Sequence, residues 1–510
     1  MMTHHVRPAS TSRFPLDDEA STPEAEALPS LIADLADCVI IPVTHQQRAV
    51  KHFTVDLAFS YQTAASNELL LQSLEITLSD FPVLCGRALK LQRDETSATE
   101  ELVLCVPKIQ CLDAAPSWAY VPLSFDSKPT IESDTEGIAP NDWFDMAINC
   151  IPSDACHISS LAKDGIHTRK FGDPMTRIQV STVDTTKHQV IAISINHVLV
   201  DAGSISLFMS EWSRQYQMCR ERFSSAGVKP EDVERVSISF DHPLLLDMDG
   251  QDKDEETDVP DDWTRLLPSE SGGENPFVEN KAAEMMTSSE TVSCSVYYRS
   301  RDQIEVLKNE SLEDIRRLMQ EQQDEDVPPY VSSNDALLGE VCKELGATSI
   351  ILCMDWRPIL NRPTFFGYAV LLLYVDLPTA SHAPATCRNL LGWKGCNGAE
   401  GCAGIVRNAN FVEWKMKNET KQGRTDLIWN SWSDFFTLDD GNVSYRDDRS
   451  SKMECCPHDM LMSEQMCRAR VDVARRGVSY AIIFPQPNRS VRLYFFGPND
   501  VGQSLQSIKQ

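Results

Sequence analysis

The stretch from Gln189 to Gln217 changes its hydrophobic period partway along, and no other part of the chain constrains the fold as strongly. Val190-Ile-Ala-Ile-Ser-Ile195 is a dense run of β-formers and reads as a buried strand. From Ser204 onward the apolar residues recur at helical spacing: Phe208, Trp212 and Tyr216 fall one turn apart, with Ile205 and Met209 beside them. Between the two runs lies His197-Val-Leu-Val-Asp201-Ala-Gly-Ser204. His197 therefore stands where a strand ends, and Asp201 stands in the turn into a helix. A rigid sheet is a good carrier for reactive side chains at such a junction. An imidazole titrates near neutral pH and can take a proton from a hydroxyl or an amine. A hydrogen-bonded loop histidine fits the spacing equally well, so these residues alone leave both readings open.

The rest of the chain divides around an acidic stretch. Its 510 residues suffice for two or three domains. Residues 1–27 are rich in Ser, Thr, Pro and Glu and read as a disordered leader. An N-terminal lobe is expected over 28–240. Within it, Glu68 to Phe81 carries Leu70, Leu74 and Leu78 at helical spacing, and Pro82 stops that helix. Met175–Val183 and Gln189–Ile195 read as a hairpin around Asp184-Thr-Thr-Lys187. Over 241–290, ten Asp and Glu crowd between Asp241 and Asp262 against Lys253 alone, and Ser269-Glu-Ser-Gly-Gly273 follows. Such a segment repels itself and reads as a flexible linker. A C-terminal lobe over 291–510 opens with the alternating strand Thr291–Tyr298 and a helix from Ile304 to Gln322.

Charge and cysteine usage exclude several function classes. The formal net charge of −28 argues against nucleic acid or an anionic membrane surface as partner, since both select basic patches. A small anionic ligand on a local basic rim is still compatible with it. The 16 cysteines show no pairing pattern, and Cys396 and Cys402 lack the spacing of a zinc site. No metal is expected, and the thiols are expected to stay free in a reducing cytosol. The N-terminus has no signal-peptide core, and the longest apolar candidate, Phe365–Val375, fits one buried strand rather than a membrane span. The chain is read as a cytoplasmic protein.

Four further places stand out. Arg357 follows the apolar run Ser349–Met354, so it is either a surface residue or in need of an anionic partner. Asn430-Ser431-Trp432 ends another strand; it offers hydrogen-bond donors for an oxyanion or is a plain strand-to-turn junction. Ser332-Ser-Asn334-Asp335 reads as a capped helix start. Asp439-Asp440-Gly441-Asn442 reads as a tight turn.

Taken in order, these pieces resemble the BAHD family of acyl-CoA-dependent acyltransferases, in its wider, fungal-like branch, from about residue 35 to the C-terminus. The Leu-rich helix, Pro and Gly-Arg signature is similar to Leu71-Gln-Ser73-Leu74 through Phe81-Pro82 to Gly86-Arg87. The family's His-x-x-x-Asp motif is matched by His197 and Asp201, trailed by Ser204, Phe208 and Trp212. Ser332–Leu337, Asp355-Trp-Arg357 with Pro363 and Phe366-Gly367-Tyr368, and Asn430-Ser431-Trp432 follow in family order. The chain departs from the pattern at Asp355 and Tyr368, where the family has Asn, and the Asp-Phe-Gly-Trp-Gly motif is eroded at Asp439-Asp440-Gly441.

The resemblance implies an α/β fold of two chloramphenicol-acetyltransferase-like domains, with mixed sheets flanked by helices and a channel at their interface. It implies a monomer that binds no cofactor and takes acyl-CoA as co-substrate and a small-molecule alcohol or amine as acceptor. His197 would be the general base, and donors near Asn430 and Trp432 would meet the oxyanion. Asp201 would be structural, paired with Arg357. The related condensation enzymes of peptide synthesis have a second His where this chain has Asn196. The competing reading is a non-catalytic metabolite- or partner-binding protein on the same fold.

Overall fold

The computed structural model describes residues 2–7, 38–43, 54–61, 64–92, 100–107, 119–128, 174–183, 189–224, 292–321, 331–355, 357, 363–376, 426–433, 435, 459–462, 467, 470, 471, 474, 475, 477–486 and 489–507. The acidic segment 241–290, Cys396, Cys402 and Asp439–Gly441 lie outside the described residues. The chain forms two compact units. The first comprises Met1–Asp241, Thr364–Tyr368 and Gly441–Met466; the second comprises His242–Pro363, Ala369–Asp440 and Cys467–Gln510.

The first unit is built on a six-stranded mixed sheet in the order β1-β6-β7-β8-β3-β13. Its strands are β1 (Met2–Val6), β3 (Thr54–Tyr61), β6 (Val121–Lys128), β7 (Thr176–Val183), β8 (Gln189–Asn196) and β13 (Asp459–Met462). A smaller sheet joins β2 (Cys38–Pro42), β5 (Glu100–Pro107) and β4 (Arg87–Gln92). Helix α1 (Asn67–Asp80) starts at Ser66, whose hydroxyl accepts from Leu69 N, and gives way to a single turn opened by Pro82. Helix α2 (Ala202–Ser224) buries Ile205, Phe208, Met209, Trp212 and Tyr216. Both helices lie over one face of the sheet. They enclose with it a cavity of about 110 Å³ between Tyr61 and Ile191 on the strands and Leu70, Met209, Trp212 and Tyr216 on the helices.

The Gly-Arg pair after the leucine-rich helix has a structural cause. A Cβ at Gly86 would stand 2.8 Å from Val83 O. The guanidinium of Arg87, buried, donates to Cys85 O and Gly86 O at 2.9 Å each and also to Tyr120 O. It thereby satisfies carbonyls at the end of a helical segment that no backbone N–H reaches.

The second unit carries a second six-stranded mixed sheet, order β11-β10-β12-β14-β15-β9. Its strands are β9 (Val292–Arg299), β10 (Ser349–Asp355), β11 (Val370–Asp376), β12 (Leu427–Ser431), β14 (Ser479–Pro485) and β15 (Val491–Pro498). With it go α3 (Arg301–Glu321), α4 (Ser333–Leu345) and α5 (Asn499–Ser507). Ser332 and Asp335 close a reciprocal capping box on α4. Between those two residues, Asn334 accepts from the Trp429 indole of β12 at 2.9 Å. Each unit is thus a mixed sheet with helices, an α/β architecture.

Three expectations change. Met2–Val6 is not part of a disordered leader: it is an edge strand antiparallel to β6, with Val6 buried. Residues 364–368 and 441–466 do not belong with the C-terminal lobe, because β13 pairs with β3 and Gly367 hydrogen-bonds to Ser204. Phe365–Val375 is not one strand. The ladder begins at Val370, and the backbone of Gly367 before it is held by the Ser204 side chain. Among the described residues, no helix is long and apolar enough to cross a membrane.

One carboxyl of the first unit makes its stability depend on pH. Burial pushes Glu75 on α1 up to about 7. Between the ordinary carboxylate range and pH 7 the folded chain then holds a proton that the unfolded chain has released, so stability falls as pH rises through this window. Glu75→Gln is expected to raise stability by about 2 kcal/mol at pH 8 and far less at pH 5. Thermal midpoints of both proteins at the two pH values check this; an equal difference at both would contradict it.

Candidate functional site

The strand–turn–helix that the sequence marks is present. β8 is buried throughout and antiparallel to both β7 and β3, which fixes its end in space. Asn196 closes the strand: its N–H donates to Met175 O, and its side-chain carbonyl accepts from Val198 N at 3.0 Å. The turn is completed by Leu199 N donating to Asn196 O.

His197 follows, half-buried. Its Nδ1 lies 2.7 Å from the carbonyl of Val200. A carbonyl oxygen only accepts, so Nδ1 carries the hydrogen, and in the neutral ring the lone pair is on Nε2. The ring of Tyr368 meets the imidazole edge-on, with centroids 5.3 Å apart. The histidine is therefore held in one tautomer by the backbone of its own turn and flanked by an aromatic ring. That arrangement suits a proton acceptor.

Asp201 is buried, and its Oδ1 accepts from Ser204 N at 2.8 Å, three residues into the turn. It caps α2. Its carbonyl starts the helix by accepting from Ile205 N. Ser204 then reaches across 163 residues: its hydroxyl donates to Gly367 O at 2.8 Å and accepts from Gly367 N at 2.9 Å. One side chain thus binds both backbone polar groups of one residue. Gly367 admits no larger residue there, since a Cβ would come within 2.7 Å of the Phe365 ring. Phe366 next to it packs edge-on against Phe81, which itself meets Phe208 of α2. Tyr368 is delivered to the imidazole by this clamp.

The other sequence-marked residues fall in the second unit. Arg357 is buried, and its guanidinium donates to Asp355 Oδ1 at 2.9 Å, so an anionic partner stands two residues away. Asn430 and Trp432 engage each other: the indole N–H donates to Asn430 Oδ1 at 2.9 Å, while Asn430 Nδ2 donates to Tyr480 OH. Among the described residues no group of three or more His, Cys, Asp or Glu is arranged to hold a metal. The sequence reading missed the Val200 carbonyl, which residue type cannot reveal, and the role of Tyr368, which it had noted only as a departure.

With this geometry in place, solved structures supply the comparison. TRI101 of F. graminearum, complexed with coenzyme A and deoxynivalenol, matches with a TM-score of 0.54 at 12% identity, over 92% of this chain and 98% of that one. Vinorine synthase matches with a TM-score of 0.51 at 13% identity, over 98% and 95%. The fold is that of the chloramphenicol-acetyltransferase-like acyltransferases. TRI101 complexed with coenzyme A and T-2 mycotoxin matches with a TM-score of 0.50 at 12% identity, over 92% and 98%. No family model matches the sequence, and no match is found among curated proteins.

Two substitutions test the turn. Asp201→Ala is expected to be less stable than Asp201→Asn by about 1 kcal/mol, because Asn keeps the capping oxygen; equal denaturation midpoints would remove the cap. Ser204→Ala leaves a buried N–H and a buried carbonyl without their partner. It is expected to cost about 2–4 kcal/mol in chemical denaturation.

Proposed function

We propose that this chain is an acyl-CoA-dependent acyltransferase that moves an acyl group to a hydroxyl or amine of a small molecule, with His197 as general base. The observation that carries the reading is the Nδ1–H to Val200 bond, which puts the lone pair of the neutral ring on Nε2. Structures of the same fold hold coenzyme A together with deoxynivalenol or T-2 mycotoxin, which supports acyl-CoA as donor and a small molecule as acceptor.

The steps balance without a covalent enzyme intermediate. Nε2 of His197 takes the acceptor's proton, and the oxygen or nitrogen attacks the thioester carbonyl. The tetrahedral oxyanion collapses, the carbon–sulfur bond breaks, and the imidazolium returns the proton to the departing thiolate. Three of the described cysteines are poor nucleophiles in comparison: burial pushes the Cys85 and Cys353 thiols up to about 12 and raises Cys342 further. In this reading the second Nδ2 hydrogen of Asn430 meets the developing oxyanion, with the Trp432 indole orienting the amide. Asp201 shapes the turn and does not touch the reacting atoms. The protein acts as a monomer in the cytosol.

A non-catalytic binding protein on the same fold is the second reading, favoured by the Tyr368 ring against the imidazole where the resembling family carries Asn. Wild-type protein incubated with acetyl-, malonyl- and longer acyl-CoAs and a pool of alcohols and amines is expected to release thiol. His197→Ala is expected to lower that rate by about 10²–10⁴-fold while coenzyme A still binds. Binding of coenzyme A without thiol release by the wild type would favour the non-catalytic protein. Undiminished turnover by the variant would end the general-base assignment.

A further inference from the structure

The cavity between the first sheet and its two helices lies at the end of β8 opposite to His197. Tyr61 and Gln189 pair across β3 and β8 at that end, and the length of β8 puts roughly 23 Å between Gln189 and Asn196. Met209, Trp212, Ser213, Tyr216 and Arg220, one stripe of α2, form one wall. Burial divides the lining into a floor and a mouth. Leu70, Ile191, Met209, Trp212 and Tyr216 are buried, whereas Tyr61, Ser213 and Arg220 are half-buried and Ala64 is exposed. The cavity is therefore a pit with an open mouth, built within the first unit.

Hydrogen bonds fix its walls. The Gln189 amide accepts from Ala65 N at 3.1 Å and donates to Ala65 O at 3.3 Å, and the Tyr216 hydroxyl accepts from Ser66 N at 3.1 Å. The Trp212 indole donates to Ser73 Oγ at 3.0 Å. These bonds tie the start of α1 to β8 and α2, so the pit is preformed, and they occupy side-chain polar groups that line it. The Ser213 hydroxyl, in contrast, has no hydrogen-bond partner among the described residues. The rest of the floor is aromatic, aliphatic and thioether surface. An apolar cavity of about 150 Å³ takes up benzene; this one holds about 110 Å³ and is open at its mouth. Aromatic ligands gain further from edge and face contacts with Trp and Tyr rings and from a nearby Met sulfur.

We propose that this pit is a second ligand site, for a small uncharged phenol or aromatic alcohol whose ring sits among Met209, Trp212 and Tyr216 and whose hydroxyl bonds to Ser213. A serine hydroxyl both donates and accepts, so it matches a ligand hydroxyl in either role. No charged side chain lines the floor, so an ionised group placed there would lose its hydration without compensation. The site does not rest on the acyltransferase reading, because it lies away from His197. A ring bound there touches α1, α2, β3 and β8 together and stabilises the unit through mass action.

Binding without acyl-CoA tests the site. Toluene, phenol, benzyl alcohol and benzoate are titrated by calorimetry into the full-length wild type and into Ser213→Ala, Ser213→Leu and His197→Ala, each checked for native circular dichroism. Phenol or benzyl alcohol is expected to bind about threefold to tenfold more tightly than toluene. Ser213→Ala is expected to remove that preference while toluene still binds, and Ser213→Leu, which fills the mouth, to weaken all of them about tenfold or more. His197→Ala is expected to change none of these affinities. No saturable binding by the wild type, wild-type binding by Ser213→Leu, or a hydroxyl preference that survives in Ser213→Ala would each refute the site. Benzoate binding more tightly than phenol would overturn the uncharged ligand class. Loss of binding in His197→Ala would place the ligand at the histidine instead and overturn the second site, whereas thiol release from acyl-CoA bears on the acyltransferase reading and not on the pit.

Discussion

The hydroxyl of Ser204 holding the backbone N–H and C=O of Gly367 is the contact on which the candidate site depends. It ties the first turn of α2 to a segment 163 residues away in sequence. The peptide held in this way precedes β11, which begins at Val370. The same peptide has no room for a side chain, so glycine is required at that point. Tyr368 then reaches the edge of the His197 ring.

Each polar residue of the His197–Ser204 turn has a distinct task. Asn196 organises the exit from β8 through Val198, the Val200 carbonyl fixes the imidazole tautomer, and Asp201 caps the helix that Ser204 anchors. The bonds of Val198, His197 and Asp201 named above are short-range, while Asn196 N to Met175 O and the Ser204–Gly367 pair fasten the turn to the rest of its unit. In the second unit the same economy appears at the strand ends: Asp355 accepts from both the backbone N–H and the guanidinium of Arg357, and Asn430 takes up the Trp432 indole.

The first sheet has two chemically different faces. One is apolar and lies against α1 and α2, closing the core. The other carries buried hydroxyls, an amide and a carboxylate at Ser60, Ser181, Ser194, Gln179 and Asp56, with Arg177 half-buried beside them. Most of those groups are mutually satisfied, and the exceptions at Arg177 and Gln179 sit on neighbouring rungs.

Much of this was legible in the amino-acid order because it is local. The helix from Asn67 follows from leucines at helical spacing and Pro82, the β7–β8 hairpin from two β-former runs about a short turn, and the capping box from Ser332 and Asp335. The resemblance carried by His197, Asp201 and the later motifs indicated an α/β acyltransferase fold. Sequence could not show that Met2–Val6 is an edge strand, that β13 returns to β3, or that Phe365–Tyr368 leaves the strand it appeared to begin. Nor could it show which nitrogen of His197 bears the hydrogen, since a backbone carbonyl decides that. Residue order determines short-range periodicity and caps, whose energies depend on neighbours within a few positions. Pairing across hundreds of residues, such as β13 with β3 and Ser204 with Gly367, depends on which surfaces the fold brings together, and only the tertiary structure decided it.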